Sequence, residues 1–369
     1  MIIENTFSDP LYQNGHQYDH FYVIQNTDLN AGFVALLVYA LNGVRRATQR
    51  NALPVLVFGS KDVPFFYEAT KGPCIWDYYF QPISPVSYSQ LLQWKEEGLV
   101  SEEKIHVNTS EEVVYGHSHD PERVATFWAY DTIKDKARWM AEKRALGRVF
   151  VRKHIQVLPH IEAKVSAYRE HHFQADFMIG VHIRGTDFAY AQPTEITKYF
   201  EIINQKLQEL GSKNFQIFLA TDQAQYVEQF QSKYPAKVIS REVTRSTNHI
   251  APFKMEGISP YQKGEEVLMD MLLLSHCHFV IKGAAAVGEF ALWFHDKMEI
   301  KDFGLESDYH TAEYYKLRSS FLKLNIGKRT KIQLWLQESW EFFVNGFIYF
   351  TPTRKLHYRF KWIRRMLKL

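Results

Sequence analysis

Hydrophobic and polar positions along the chain fall into two regimes. In the first, residues 21–25 form a short apolar run that reads as a buried strand. A polar turn at 26–30 follows, then apolar residues at helical spacing over 31–49. Residues 54–58 repeat the strand signal and end in Gly59 and Ser60, while 90–97 and 121–148 read as helices, the second opened by Asp120 and Pro121. This part is α/β or mixed.

The helical pattern breaks at His171 and His172, and a regular alternation begins. Strands are predicted at 177–183, 215–220, 237–240 and 279–282, and helices at 194–210, 223–234, 264–275 and 285–295. Strands and helices alternating at these lengths indicate a parallel sheet covered on both faces, a Rossmann-like half. The expected organisation is a first α/β domain over 1–174, a second over 175–310 and carboxyl-terminal helices over 311–369.

Composition narrows the picture. A chain of 369 residues, 46% hydrophobic, is long enough for two cored domains. The formal charge of +3 is dispersed, which argues against nucleic acid as a partner. Cys74 and Cys277 are the only cysteines, too few for a secreted disulfide framework or a four-ligand zinc site, and a reducing compartment fits. Residues 1–17 carry no signal-peptide pattern, and no run reaches the roughly 20 apolar residues of a spanning helix. The expectation is a cytoplasmic protein, soluble or resting on the inner membrane surface.

Candidate chemistry concentrates where the strands of the second half end, since ligands of a parallel α/β sheet sit beyond its carboxyl edge. The run Gly-Val-His-Ile-Arg-Gly-Thr-Asp, residues 180–187, delivers His182, Arg184 and Asp187 there. Alternation puts His182 and Arg184 on one face, and Gly185 permits a sharp turn with close ligand approach. A guanidinium fork suits phosphate oxygens. The competing reading pairs Arg184 with Asp187 and leaves His182 as a core histidine. Asp222 ends the next strand, where it is either a site residue or a helix N-cap. Asp270 adjoins a wholly apolar stretch, 271–274, and must be hydrogen-bonded to something: a base edge, or a nearby backbone or basic group. Arg245 and His249 lie in a polar loop that either adds charge to a phosphate site or is simply solvated.

The order His-x-Arg-x-x-Asp, then Leu-Ala-Thr-Asp, then Val-Leu-x-Asp followed by Leu-Leu-Ser resembles the nodulation-type and N-glycan-core α-1,6-fucosyltransferases and their bacterial relatives, over about residues 178–294. The resemblance implies a GT-B fold of two Rossmann-like domains facing a cleft, a donor site in the carboxyl-terminal domain, no metal or other cofactor, and inversion at the sugar carbon. It assigns donor phosphate and base to His182 and Arg184, and guanine to Asp270. Two departures stand out. Gly185 replaces a second arginine, and Gly-Ala-Ala-Ala-Val-Gly, residues 283–288, replaces serine-rich phosphate contacts. Backbone N–H groups of Ala285, Ala286 and Val287 at a helix start would still suit an anion.

Inversion in one displacement needs a base, for which Asp187 is the first candidate and Glu195 the second. The chain contains no Asp-x-Asp pair of the kind that holds a divalent ion against a diphosphate, in keeping with a metal-free reaction that relies on Arg184. Basic and apolar residues interleave over 354–369, as in an interfacial helix on anionic lipid or a helix packing back on the protein. The expected function is transfer of fucose from GDP-fucose to a glycan or glycolipid acceptor in surface-glycan synthesis. The rivals are another nucleotide-sugar donor, or a nucleotide-sugar-binding protein that has lost transfer.

Overall fold

Two all-parallel sheets organise the chain in the computed structural model, which describes residues 12–13, 16–17, 20–26, 32–60, 63–109, 133–186, 194–248, 250–295 and 298–306. After a two-residue antiparallel pair, β1 (Tyr12–Gln13) and β2 (His16–Gln17), the smaller sheet runs β4 (Leu53–Val57), β3 (Phe21–Gln25), β5 (Ile105–Val107). The larger sheet contains β6 (Phe177–Ile183), β7 (Phe215–Thr221), β8 (Val238–Ile239), β9 (Phe279–Lys282) and β10 (Glu299–Asp302), in the order β10-β9-β6-β7-β8. This is the α/β architecture expected of a GT-B chain. The described residues fall within one compact unit, Met1–Thr186 with Thr194–Glu306.

The smaller sheet is covered on both faces. Phe21, Val23, Leu53 and Val55 pack with Leu91 of α2 (Tyr88–Glu96). Against Ile24, on the other face, lies α1 (Phe33–Gln49), close enough that a Cβ added at Gly43 would stand 2.6 Å from Ile24 Cγ1. Phe33 through Val44 are all buried, so α1 is apolar around its whole circumference, as befits a helix with protein on every side.

In the larger sheet, β6 shows why a central parallel strand is apolar throughout. Ile179, Val181 and Ile183 face the core built with Tyr199 and Ile203 of α5 (Ile196–Leu210) and Phe230 of α6 (Ala224–Lys233). The alternate positions, Gly180 and His182, face the other side. A Cβ on Gly180 would stand 3.0 Å from Cys277, just past α7 (Pro260–Ser275). Neighbouring Phe218 on β7 meets Tyr168 of α4 (Pro159–His172) on its ring edge.

Several boundaries differ from the sequence reading. The helix predicted over 121–148 is α3 (Lys136–His154), capped by Asp135, whose carboxylate accepts from Arg138 N; the start signal at Asp120 and Pro121 lies outside the described residues. Strands β5 and β10 and helix α4 were not predicted as separate elements. α7 begins at Pro260 rather than 264, because Ser259 caps it and accepts from Gln262 N. The last predicted helix is shorter, α8 (Ala286–Ala291). Among the described residues no helix is long and apolar enough to cross a membrane. The basic carboxyl-terminal segment, Asp187 and His249 lie outside the described residues.

Candidate active site

β6 is the first strand of its sheet, with β7 on one side and β9 on the other. Chain connections leave it in opposite directions, and the crevice this creates beyond the carboxyl ends of β6 and β9 is the place where open α/β sheets bind ligands. His182 and Lys282 are register partners at that edge, and Arg184 follows directly.

The turn after β6 is held by Asp222. Its Oδ1 accepts from Gly185 N at 2.7 Å, and its Oδ2 accepts from Thr186 N at 3.3 Å and from the Thr186 hydroxyl. Asp222 therefore works as a clamp on the loop carrying Arg184; the N-cap position of α6 belongs to Gln223. Arg184 is half-buried and its Nε donates to Thr186 O at 3.3 Å. The glycine after it has a steric cause: a Cβ on Gly185 would stand 2.5 Å from Gln223 Oε1 and 2.7 Å from the Tyr226 ring. Those side chains fill the space a second arginine would need.

His182 is 6% exposed, and among the described residues its Nδ1 has no hydrogen-bond partner. Burial, reinforced by the positive charges of Arg184 and Lys282, pushes its pKa down to about 3. The imidazole is neutral near pH 7, able to donate one hydrogen bond and accept one.

Beside it lies a group of charges the sequence reading missed. Arg144 of α3 forms a two-pronged pair with Glu289, Nε to Oε1 and Nη2 to Oε2, both at 2.7 Å, and also pairs with Asp302. Lys282 Nζ lies 2.9 Å from both Glu289 and Asp302. These four side chains are 8%, 0%, 3% and 1% exposed for Arg144, Glu289, Asp302 and Lys282. Trp293 Nε1 donates to Glu289 at 3.0 Å and Gly304 N to Asp302 at 2.8 Å. Burial alone would raise the Glu289 pKa; Arg144 and Lys282 more than offset it and hold the carboxyl below its usual range. One sequence signal existed: Lys282 ends an apolar strand and Glu289 interrupts an apolar run, each a charge that burial would forbid without a partner.

At the start of α8, Ala285 and Ala286 are buried and Val287 is half-buried. Ala285 N donates to Gly283 O.

Asp270 sits in a second cluster. Its Oδ1 accepts from Arg241 Nη1 at 2.9 Å, and the same nitrogen donates to Glu266 O at 2.8 Å. Burial raises the Asp270 pKa, with Arg241 opposing. Of the two alternatives open for this aspartate, the structure provides the basic partner. Arg245 Nη2 donates to Ser240 Oγ at 2.6 Å and Arg241 O at 2.8 Å. This loop lies against the β7 exit, since Ser246 N donates to Asp222 O and Ala224 N to Ser246 O. Glu195 is exposed at the N-cap position of α5 without a side-chain capping bond. The structure thus gathers His182, Arg184, Asp222 and Lys282 at the β6 exit. Asp270 and Arg245 form the neighbouring group after β8, and Glu195 follows Thr194, whose hydroxyl lies 3.7 Å from a Cβ built on Gly283.

The model of the nodulation protein Z (NodZ) family matches residues 132–308. No curated protein matches the chain. Among solved structures, the chain is similar to a NodZ alpha-1,6-fucosyltransferase soaked with GDP-fucose, at 17% identity and a TM-score of 0.45, covering 75% of this chain and 93% of that one. The fucosyltransferase NodZ from Bradyrhizobium gives 17% identity and a TM-score of 0.43, covering 74% and 92%. A mutant of Arabidopsis thaliana FUT1 in complex with GDP gives 12% identity and 0.45, covering 79% and 71%.

Proposed function

We propose that this chain, whose residues 132–308 match the NodZ family model, is a fucosyltransferase-like glycosyltransferase that transfers fucose from GDP-fucose to a sugar acceptor in one inverting, metal-free displacement. The observation that carries the reading is the pairing of His182 and Arg184 at the carboxyl end of the central strand, on a turn clamped by Asp222. Breaking the glycosyl bond leaves negative charge on the departing diphosphate. A guanidinium fixed there before reaction stabilises that charge without reorganising, and Arg184 supplies it. Neutral His182 adds one donated hydrogen bond. Asp270 accepts from the two donors on the guanine edge in exchange for its contact with Arg241, with Arg245 adding positive charge nearby. Backbone N–H groups at 285–287 approach the phosphates only if the α8 start opens. The acceptor hydroxyl gives its proton to Asp187 or, failing that, Glu195. In this reading 175–310 is the donor side, 1–174 reads a glycan or glycolipid acceptor, and the basic carboxyl-terminal segment rests on the cytoplasmic membrane surface.

A panel of nucleotide sugars, scored for thermal stabilisation and nucleotide release, tests the proposal. GDP-fucose should stabilise the protein and be turned over, and Arg184→Ala should abolish turnover while leaving the fold intact. Stabilisation by UDP sugars alone would reject the donor. The packed start of α8 favours one alternative, a protein that binds the nucleotide sugar without transferring it, and stabilisation by GDP-fucose without nucleotide release would establish that instead.

A further inference from the structure

We infer that Arg144 is a positioning residue for the donor site: its ion pair with Glu289 seats α8 against His182. The inference rests on the reading of His182 as a donor ligand. Three residues on one face of α3, spaced i, i+3 and i+4, grip the same segment. Arg144 holds Glu289 with both prongs of its guanidinium. Gly147 leaves room for the Trp293 ring, from which an added Cβ would stand 2.1 Å away. Arg148 Nε donates to Leu292 O at 3.1 Å.

On its other side the gripped segment touches the site. A Cβ on Gly288, the residue beside Glu289, would stand 2.9 Å from His182 Nδ1 and 3.0 Å from Lys282 Cβ. An unbroken path of contact therefore runs from Arg144 through Glu289 and Gly288 to the imidazole. Lys282 and Asp302 complete the set, two cations against two carboxylates. A buried network of this kind adds little net stability over apolar side chains of the same volume. What a planar, forked guanidinium adds is a fixed geometry.

The test uses the full chain. Arg144→Lys keeps the charge and loses the fork; Glu289→Gln keeps the shape and loses the charge. Ile203→Val, in the core on the opposite face of the sheet, serves as a destabilised control. Two readouts are taken: the His182 ring signals in proton–nitrogen NMR without nucleotide, assigned by their loss in His182→Gln, and the GDP dissociation constant by calorimetry. Arg144→Lys should move the His182 signals and weaken GDP binding about tenfold, within what a small misplacement at a site costs. Ile203→Val should do neither, although it lowers the melting temperature. If Arg144→Lys fails to fold, Glu289→Gln carries the same two expectations. Unmoved His182 signals in a folded variant would overturn the proposal, as would failure of both variants to fold. Absence of GDP binding by the unaltered protein would sink the donor reading instead, and the NMR arm would still judge the positioning.

Discussion

At the scale of single residues, burial of His182 has a measurable effect on stability. The unfolded chain takes up a proton near pH 6.5, whereas the folded protein resists it until about pH 3. The unfolded state therefore binds more protons across that window, and stability falls as pH drops below about 6.5. The slope from one such group is at most about 1.4 kcal/mol per pH unit. Urea unfolding at pH 7 and pH 5 should show His182→Gln losing less stability between the two than the unaltered protein; equal losses would show that His182 does not carry the effect. Glu289, held below its ordinary 4.5, contributes stability that is present above that value and lost further into acid.

The same scale shows what a sequence can disclose. His182, Arg184 and Asp270 stand out in the sequence as candidates because each lies at the end or edge of an apolar run, where a polar group needs a reason. Arg144 does not. Its neighbours Glu142, Lys143 and Arg148 make it look like part of a solvated face, and its partner Glu289 is 145 positions away. For Asp222 the sequence leaves two readings open for a similar reason: a helix follows it at once, whereas the amides it binds lie at Gly185 and Thr186, 37 and 36 positions back.

Among elements, the central strands were easy to find, and two of the edge strands, β5 and β10, were not. β6, β7 and β9 are buried on both faces and read as continuous hydrophobic runs. Edge strand β10, Glu-Ile-Lys-Asp, and the three-residue β5 have no such run to reveal them. Helix α1 packs closely on β3. Gly43→Ala would gain about 1 kcal/mol of helix propensity on general grounds. The added methyl would meet Ile24 at 2.6–2.7 Å, and overpacking costs about 1–3 kcal/mol. A net loss of stability in denaturant titration is expected; a gain would mean that α1 moves freely on β3.

For the molecule as a whole, the loop before Phe80 and the start of α7 form one seam. Glu68 accepts from Ser259 Oγ and from Tyr261 N, and Tyr79 OH donates to Tyr261 O at 2.7 Å. The Tyr79 and Tyr261 rings stack at 5.2 Å, and Lys71 Nζ stands 4.2 Å from the centroid of Tyr261. Tyr79→Phe removes the hydroxyl bond and keeps the stacking, so a loss of about 0.5–1.5 kcal/mol is expected in urea unfolding. No change would indicate that stacking alone holds the seam.

The all-round burial of α1 also governs how the protein can be divided. Its inner side is covered by β3 and β4 and its outer side by α7 and α8, more than two hundred positions later in the chain. A fragment ending before residue 133 would emerge with that outer stripe uncovered, and exposed apolar surface of that kind drives association. The first hundred residues thus depend for solubility on the last helices of the larger sheet. Exchanging either sheet for that of a relative would succeed only if both sides of α1 were carried across together.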